Sequence, residues 1–116
     1  MQKYLSLFIL LILFSCSPEN SGNKLPEGIL SKEKMTDMLA DIHTAEALVR
    51  MTPHLGDTNT QTVINYYAFI YKKHGVSEAD FKKSFEFYVH QPILFDSIYS
   101  DVITKLSDKE VRVRGK

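Results

Sequence analysis

The chain has 116 residues, 44% of them hydrophobic, with fourteen basic and fourteen acidic side chains and a single cysteine. One domain of this length can bury enough apolar surface to fold without disulfides or metal, and the balanced charge argues against nucleic acid or another polyanion as partner. A lone thiol also excludes a disulfide within the chain.

The first stretch carries a positive charge at Lys3, an almost wholly apolar run from Leu5 to Phe14, and then Ser15 and the only cysteine, Cys16. Its apolar core of about ten residues makes a helix of roughly 15 Å, half a bilayer's hydrocarbon thickness, so it reads as a cleavable leader rather than a membrane span. Leu13 three residues before Cys16, small Ser15 directly before it and no acidic residue upstream resemble a bacterial lipoprotein signal, with Phe14 the one departure. That resemblance implies a signal peptide over residues 1–15, a diacylglycerol on the Cys16 sulfur, and acylation of the new amino terminus. Stable anchoring needs at least two acyl chains, each methylene adding about 0.8 kcal/mol, and a triacylated cysteine supplies three.

Residues 16–28 are rich in Ser, Asn, Gly and Pro without an apolar period, and read as a flexible tether. Ser17 lacks the acidic character that holds lipoproteins at an inner membrane. By that analogy the expected location is the outer membrane. Only Glu19 stands where surface-directed lipoproteins of some bacteria carry an acidic run, so the domain is expected to face the periplasm, with the cell surface as the alternative. Removing the leader takes away only Lys3 among the charges, leaving thirteen basic against fourteen acidic side chains.

A helical domain is expected over residues 29–107. Ser31 is the expected N-cap of a first helix from Lys32 to Met51, with Glu33 in its first turn. Met35, Met38, Leu39, Ile42, Ala45 and Val49 recur at helical spacing and define its inner face. Glu46 falls on that face, with His43 three residues before it and Arg50 four after it, both within reach along the helix surface. As a functional group, His43 and Glu46 would be an acid/base pair or metal ligands. As a structural one, His43, Glu46 and Arg50 form a buried polar cluster whose carboxylate is satisfied by its neighbours. The structural reading is preferred, because reactive sites usually draw groups from several elements and the single His-x-x-Glu reverses the Glu-x-x-His order of di-iron bundles. Asp37 and Asp41 point away from the apolar face and are expected to be solvated.

The run Leu25-Pro-Glu-Gly-Ile-Leu-Ser-Lys-Glu-Lys-Met35, continuing through Met38-Leu-Ala-Asp-Ile-His-Thr-Ala-Glu-Ala47, resembles the start of an uncharacterised bacterial lipoprotein family, domain of unknown function 4296. The similarity extends through Leu106. It implies a short, helical, lipid-anchored protein, and carries over no catalytic residues.

Pro53 and Gly56 mark a loop that includes His54. A second helix is expected from about residue 60 to 74, capped by Asn59 or Thr60, with Val63, Tyr66, Tyr67, Ile70 and Tyr71 inward. His74-Gly75-Val76 predicts a left-handed C-terminal cap, and Ser77 with Asp80 a capping-box variant opening a third helix. So tight a connection predicts that these two helices form a hairpin. Phe81, Phe85, Tyr88 and Val89 mark the third helix's inner face, and Gln91-Pro92 ends it and starts a fourth. Phe95, Ile98, Tyr99, Val102, Ile103 and Leu106 supply the last stripe, followed by a frayed basic tail over residues 108–116. Ten aromatic residues follow the leader, and their spacing assigns them to the core. Phe69 and Phe87 lie off their helices' main stripes and are the candidate partner surface.

The fold class is therefore all-α, a small bundle of about four helices. A helix, the Gly75-Val76-Ser77 turn and an acidic-headed helix also resemble helix-turn-helix DNA readers and the helical ends of periplasmic chaperones, but export and charge balance count against the first. No phosphate loop, metal-ligand spacing or nucleophile motif occurs, so no catalytic residue, cofactor or metal is assigned. The expected function is that of a lipid-anchored envelope lipoprotein acting as a non-catalytic interaction or accessory subunit. It attaches to the membrane through Cys16 and has a protein partner in the envelope and no nucleic acid. The alternatives are a chaperone-like peptide-binding module and an enzyme or metal site around His43 and Glu46.

Overall fold

The computed structural model describes residues 24–51 and 59–115. The leader, Cys16, the tether up to residue 23, the loop with His54, the side chains of Asn59 and Thr60, and Lys116 lie outside the described residues. Among the described residues there are four helices, α1 (Lys32–Met51), α2 (Asn59–His74), α3 (Glu78–Val89) and α4 (Pro92–Arg114). The all-α expectation holds.

The helix ends follow local chemistry. Ser31 Oγ accepts from the Lys34 amide at 3.2 Å, as an N-cap does. At the end of α2, Gly75 sits at φ 64°, its amide donates to the Lys72 carbonyl and the Val76 amide to the Tyr71 carbonyl. These are the paired bonds of a Schellman cap. Ser77 Oγ accepts from the Asp80 amide and donates to its carboxylate, and Pro92 occupies the first turn of α4.

Helix α1 is the common partner, packed by α2, α3 and α4. Its buried set therefore exceeds the expected stripe: Thr36 and Ala40 are buried as well as Met35, Met38, Leu39, Ile42 and Ala45. Small side chains on this second flank let a neighbouring helix approach closely. Ile70, Phe81, Tyr88, Ile98 and Val102 from the other three helices join them in the core, and full burial of an aliphatic side chain contributes about 1.5–3 kcal/mol.

Several expected placements change. Helices α2 and α3 do not zip into a hairpin; they touch near the turn through Tyr71 and Phe81 (5.8 Å) while each packs on α1. Tyr66, Val89 and Ile103 are exposed rather than inward, Ile103 at 63%. Each sits at the margin of its stripe, where burial needs a neighbour that this arrangement does not supply. Phe87 is half-buried against the core, edge-on to Tyr88 at 5.2 Å, whereas Phe69 is 64% exposed. The tail is not frayed from residue 108: α4 continues to Arg114, and Arg114 pairs with Glu110 one turn back at 2.6 Å.

The end of the expected tether is also structured. Pro26 to Ile29 form a turn closed by the Ile29 amide on the Pro26 carbonyl, with Gly28 at φ 78°, the positive φ that such a turn asks of its third residue. This turn and the extended segment after it are strapped to α3. Lys83 Nζ donates to the Glu27 carbonyl, the Leu30 amide to Ser84 Oγ at 2.9 Å, and the Tyr88 hydroxyl to the Leu30 carbonyl at 2.8 Å.

Candidate functional site

Two polar arrangements involve α1. The first contains the expected Glu46. Its Oε1 accepts from the Tyr67 hydroxyl at 3.0 Å and its Oε2 lies 3.2 Å from His43 Nδ1. A carboxylate oxygen only accepts, so Nδ1 carries the hydrogen. The other ring nitrogen, Nε2, is buried with no hydrogen-bond partner among the described residues, and the imidazole packs 5.8 Å from the Tyr99 ring. Arg50 does not join. It is exposed and makes no hydrogen bond or ion pair with Glu46. Nor is the cluster deeply buried, because the His43 and Glu46 side chains keep 35% and 37% of their exposure. Burial, reinforced by the Glu46 carboxylate, pushes the Tyr67 hydroxyl above the usual tyrosine range and keeps it a donor.

His43, Glu46 and Tyr67 close a circuit. Ring contacts run from Tyr67 to Tyr71, Phe81, Phe85, Phe95 and Tyr99, with centroids 4.9–6.3 Å apart, and return to His43. All four helices contribute to it. Tilted and edge-on aromatic pairs add about 0.5–1.5 kcal/mol each beyond their buried area, so Glu46 joins two ends of a packed aromatic chain.

The second arrangement is one that the expected solvation of Asp37 and Asp41 misses. Asp41 keeps only 17% side-chain exposure. One oxygen takes Lys73 Nζ at 2.7 Å and His74 Nε2 at 2.8 Å, and the other takes Lys109 Nζ at 3.2 Å. Burial opposes its ionisation, but the hydrogen bonds from Lys73, His74 and Lys109 prevail and lower its pKa from 3.8 to about 2. Asp37 pairs with Lys105, and Lys32 with Asp101 at 2.7 Å. A groove of about 450 Å³ runs past Asp41 with its three partners and past the Asp37–Lys105 pair, with Asp108 and Arg112 on its walls. The sequence does hold a signal for this set. Asp37 and Asp41 are four residues apart, as are Lys105 and Lys109, so two facing helices pair them rung by rung.

Chemically, neither arrangement offers an activated nucleophile. Asp41 is an ion held ionised, which suits it to binding cations and not to exchanging protons near neutral pH. Among the described residues no group of three or more His, Cys, Asp or Glu side chains is placed to hold a metal ion, and no helix is long and apolar enough to cross a membrane. Phe69 borders a shallow hollow on the outward side of α2, together with Thr62, Asn65 and Tyr66.

A comparison with protein families matches residues 26–112 to the family described as "Domain of unknown function (DUF4296)". The match opens at Pro26, the residue that begins the strap's turn, and ends at Arg112 on the groove. No curated protein and no solved structure matches the chain.

Proposed function

We propose, starting from the fact that the chain belongs to the family described as Domain of unknown function (DUF4296), that it is a lipid-anchored envelope protein acting as a non-catalytic interaction or accessory subunit. The observation that carries this reading is the run Leu13-Phe14-Ser15-Cys16 at the end of a charged, then apolar, leader. In this reading the mature protein begins at Cys16, carries acyl chains such as palmitate, and sits in the outer membrane facing the periplasm.

The geometry supports the non-catalytic part in two ways. Glu46 spends both oxygens on Tyr67 and His43 within the aromatic circuit, and Asp41 is bonded to three donors. Eight residues separate Cys16 from Leu25. At about 3.3–3.6 Å per residue they reach at most about 30 Å, so the strap on α3 would be kept close to the bilayer surface.

Mass spectrometry of the protein isolated from its own cells tests the proposal. The expected product starts at Cys16 and carries diacylglycerol on sulfur and a third acyl chain on nitrogen, and a Cys16→Ala chain leaves the membrane fraction. An intact leader or an unmodified thiol refutes it.

A further inference from the structure

From Asn59 to Tyr71, thirteen consecutive residues of α2 carry no formal charge. Yet this helix packs on α1 from one side only, and on its outward side leaves Tyr66 and Phe69 exposed at 36% and 64%. A solvated helix face is ordinarily the charged one. The side chains around the hollow of about 370 Å³ are Thr62, Asn65, Tyr66 and Phe69. Their spacing is i, i+3, i+4 and i+7, that of the four residues which receive one side chain from a facing helix in knobs-into-holes packing. No other helix of the chain lies over it among the described residues.

We infer that the outward face of α2 pairs antiparallel with the same face of a second copy of this chain, Phe69 of each copy entering the hollow of the other. The hollow and the projecting ring lie on one helix, so a two-fold axis satisfies both at once and the contact closes without propagating. An uncharged face meets its own copy without like-charge repulsion, and antiparallel helices oppose their dipoles favourably. The composition, aromatic and depleted in charge, is that of an interface centre. A lipid surface fits less well, because an interfacial helix carries Lys and Arg along its whole length, whereas α2 carries Lys72 and Lys73 only in its last turn. The pairing does not depend on the lipid anchor, although a two-fold axis along the membrane normal would keep two anchors on one side.

Disulfide trapping of the full chain in cell membranes tests the inference. With Asn65→Cys, which keeps Phe69 and places the thiol on the rim of the hollow, mild oxidation is expected to give a band of twice the monomer mass that is absent for Glu86→Cys, an exposed position on α3. A band that already forms in the parent chain reports a free Cys16 thiol and bears on the anchor, whereas one that requires Asn65→Cys bears on the pairing. In sedimentation of the detergent-extracted chain, Phe69→Lys is expected to convert a dimer to a monomer with its helical circular dichroism unchanged. Three results would overturn the inference: no homodimer band, an equal band from Glu86→Cys, or a band whose mass reveals a different protein.

Discussion

At the level of single residues, the two carboxylates of α1 differ in what their neighbours do to them. Asp41 titrates at about 2 in the folded chain against 3.8 unfolded, and one unit corresponds to 1.36 kcal/mol, so its ionisation contributes about 2 kcal/mol to stability. Because the folded pKa is the lower one, this contribution is complete above about pH 4 and disappears as pH falls from there towards about 2. The stability difference between the parent chain and Asp41→Asn, read from urea unfolding, should therefore be constant from pH 7 to about 4.5 and shrink below it. A difference that stays constant down to pH 2 would mean that Lys73, His74 and Lys109 do not hold the carboxylate as described. Ser84 presents a different case, a fully buried hydroxyl that donates to the Asp80 carbonyl and accepts from the Leu30 amide. Removing it in Ser84→Ala leaves that amide without its acceptor, which costs about 1–3 kcal/mol. Leu30 should then exchange its amide hydrogen faster than α1 does, whereas equal protection would show that the strap is held by other contacts.

Among elements, α1 and α4 are aligned by three charged rungs in the same order along both helices: Lys32 with Asp101, Asp37 with Lys105, and Asp41 with Lys109. A slip of one turn would set Lys32 against Lys105, so the reversed polarity of the first rung selects the register. Isolated exposed pairs contribute about 0–1 kcal/mol. Asp37→Lys should accordingly lower stability by about 1 kcal/mol, and adding Lys105→Asp should restore most of it; a double variant no better than the single one would assign the alignment to packing alone. The helix ends were legible in the sequence because each is a local event. Ser31, Gly75, Ser77 and Pro92 act within a few residues of themselves, and the structure bears each of them out. Burial at stripe margins was not legible, since Tyr66, Val89 and Ile103 face directions in which only the tertiary arrangement decides whether a helix stands. The matched spacing of Asp37 and Asp41 with Lys105 and Lys109 hints at the pairing, but the burial of Asp41 was not legible, because its partners lie 32 to 68 residues away. Thr36 and Ala40 lie beyond the expected stripe, and are buried because α1 has neighbours on more than one side.

For the molecule as a whole, the arrangement of neighbours dictates where unfolding begins. Every other helix packs on α1, and the aromatic circuit passes through all four before returning to it at His43. The interior should therefore melt as one unit, while the outer turns of α4, where Val111 and Val113 are 69% and 78% exposed, have little to hold them beyond their own backbone bonds. Met38, with no exposed surface, tests the first half of this argument. Truncating a buried Met to Ala costs about 2–5 kcal/mol, and each kcal/mol shifts the melting temperature of a domain this size by about 4–8 °C. Met38→Ala should thus lower it by about 8 °C or more and weaken protection in all four helices together. A chain ending at Glu110 tests the second half: it keeps all three rungs and Leu106, loses only exposed turns, and should melt within a few degrees of the parent. If the shortened chain lost as much as Met38→Ala, the last turns of α4 would have to be supporting the core. If Met38→Ala loosened α1 and α2 but left α3 and α4 protected, the domain would be two separable helix pairs and not one body built around α1.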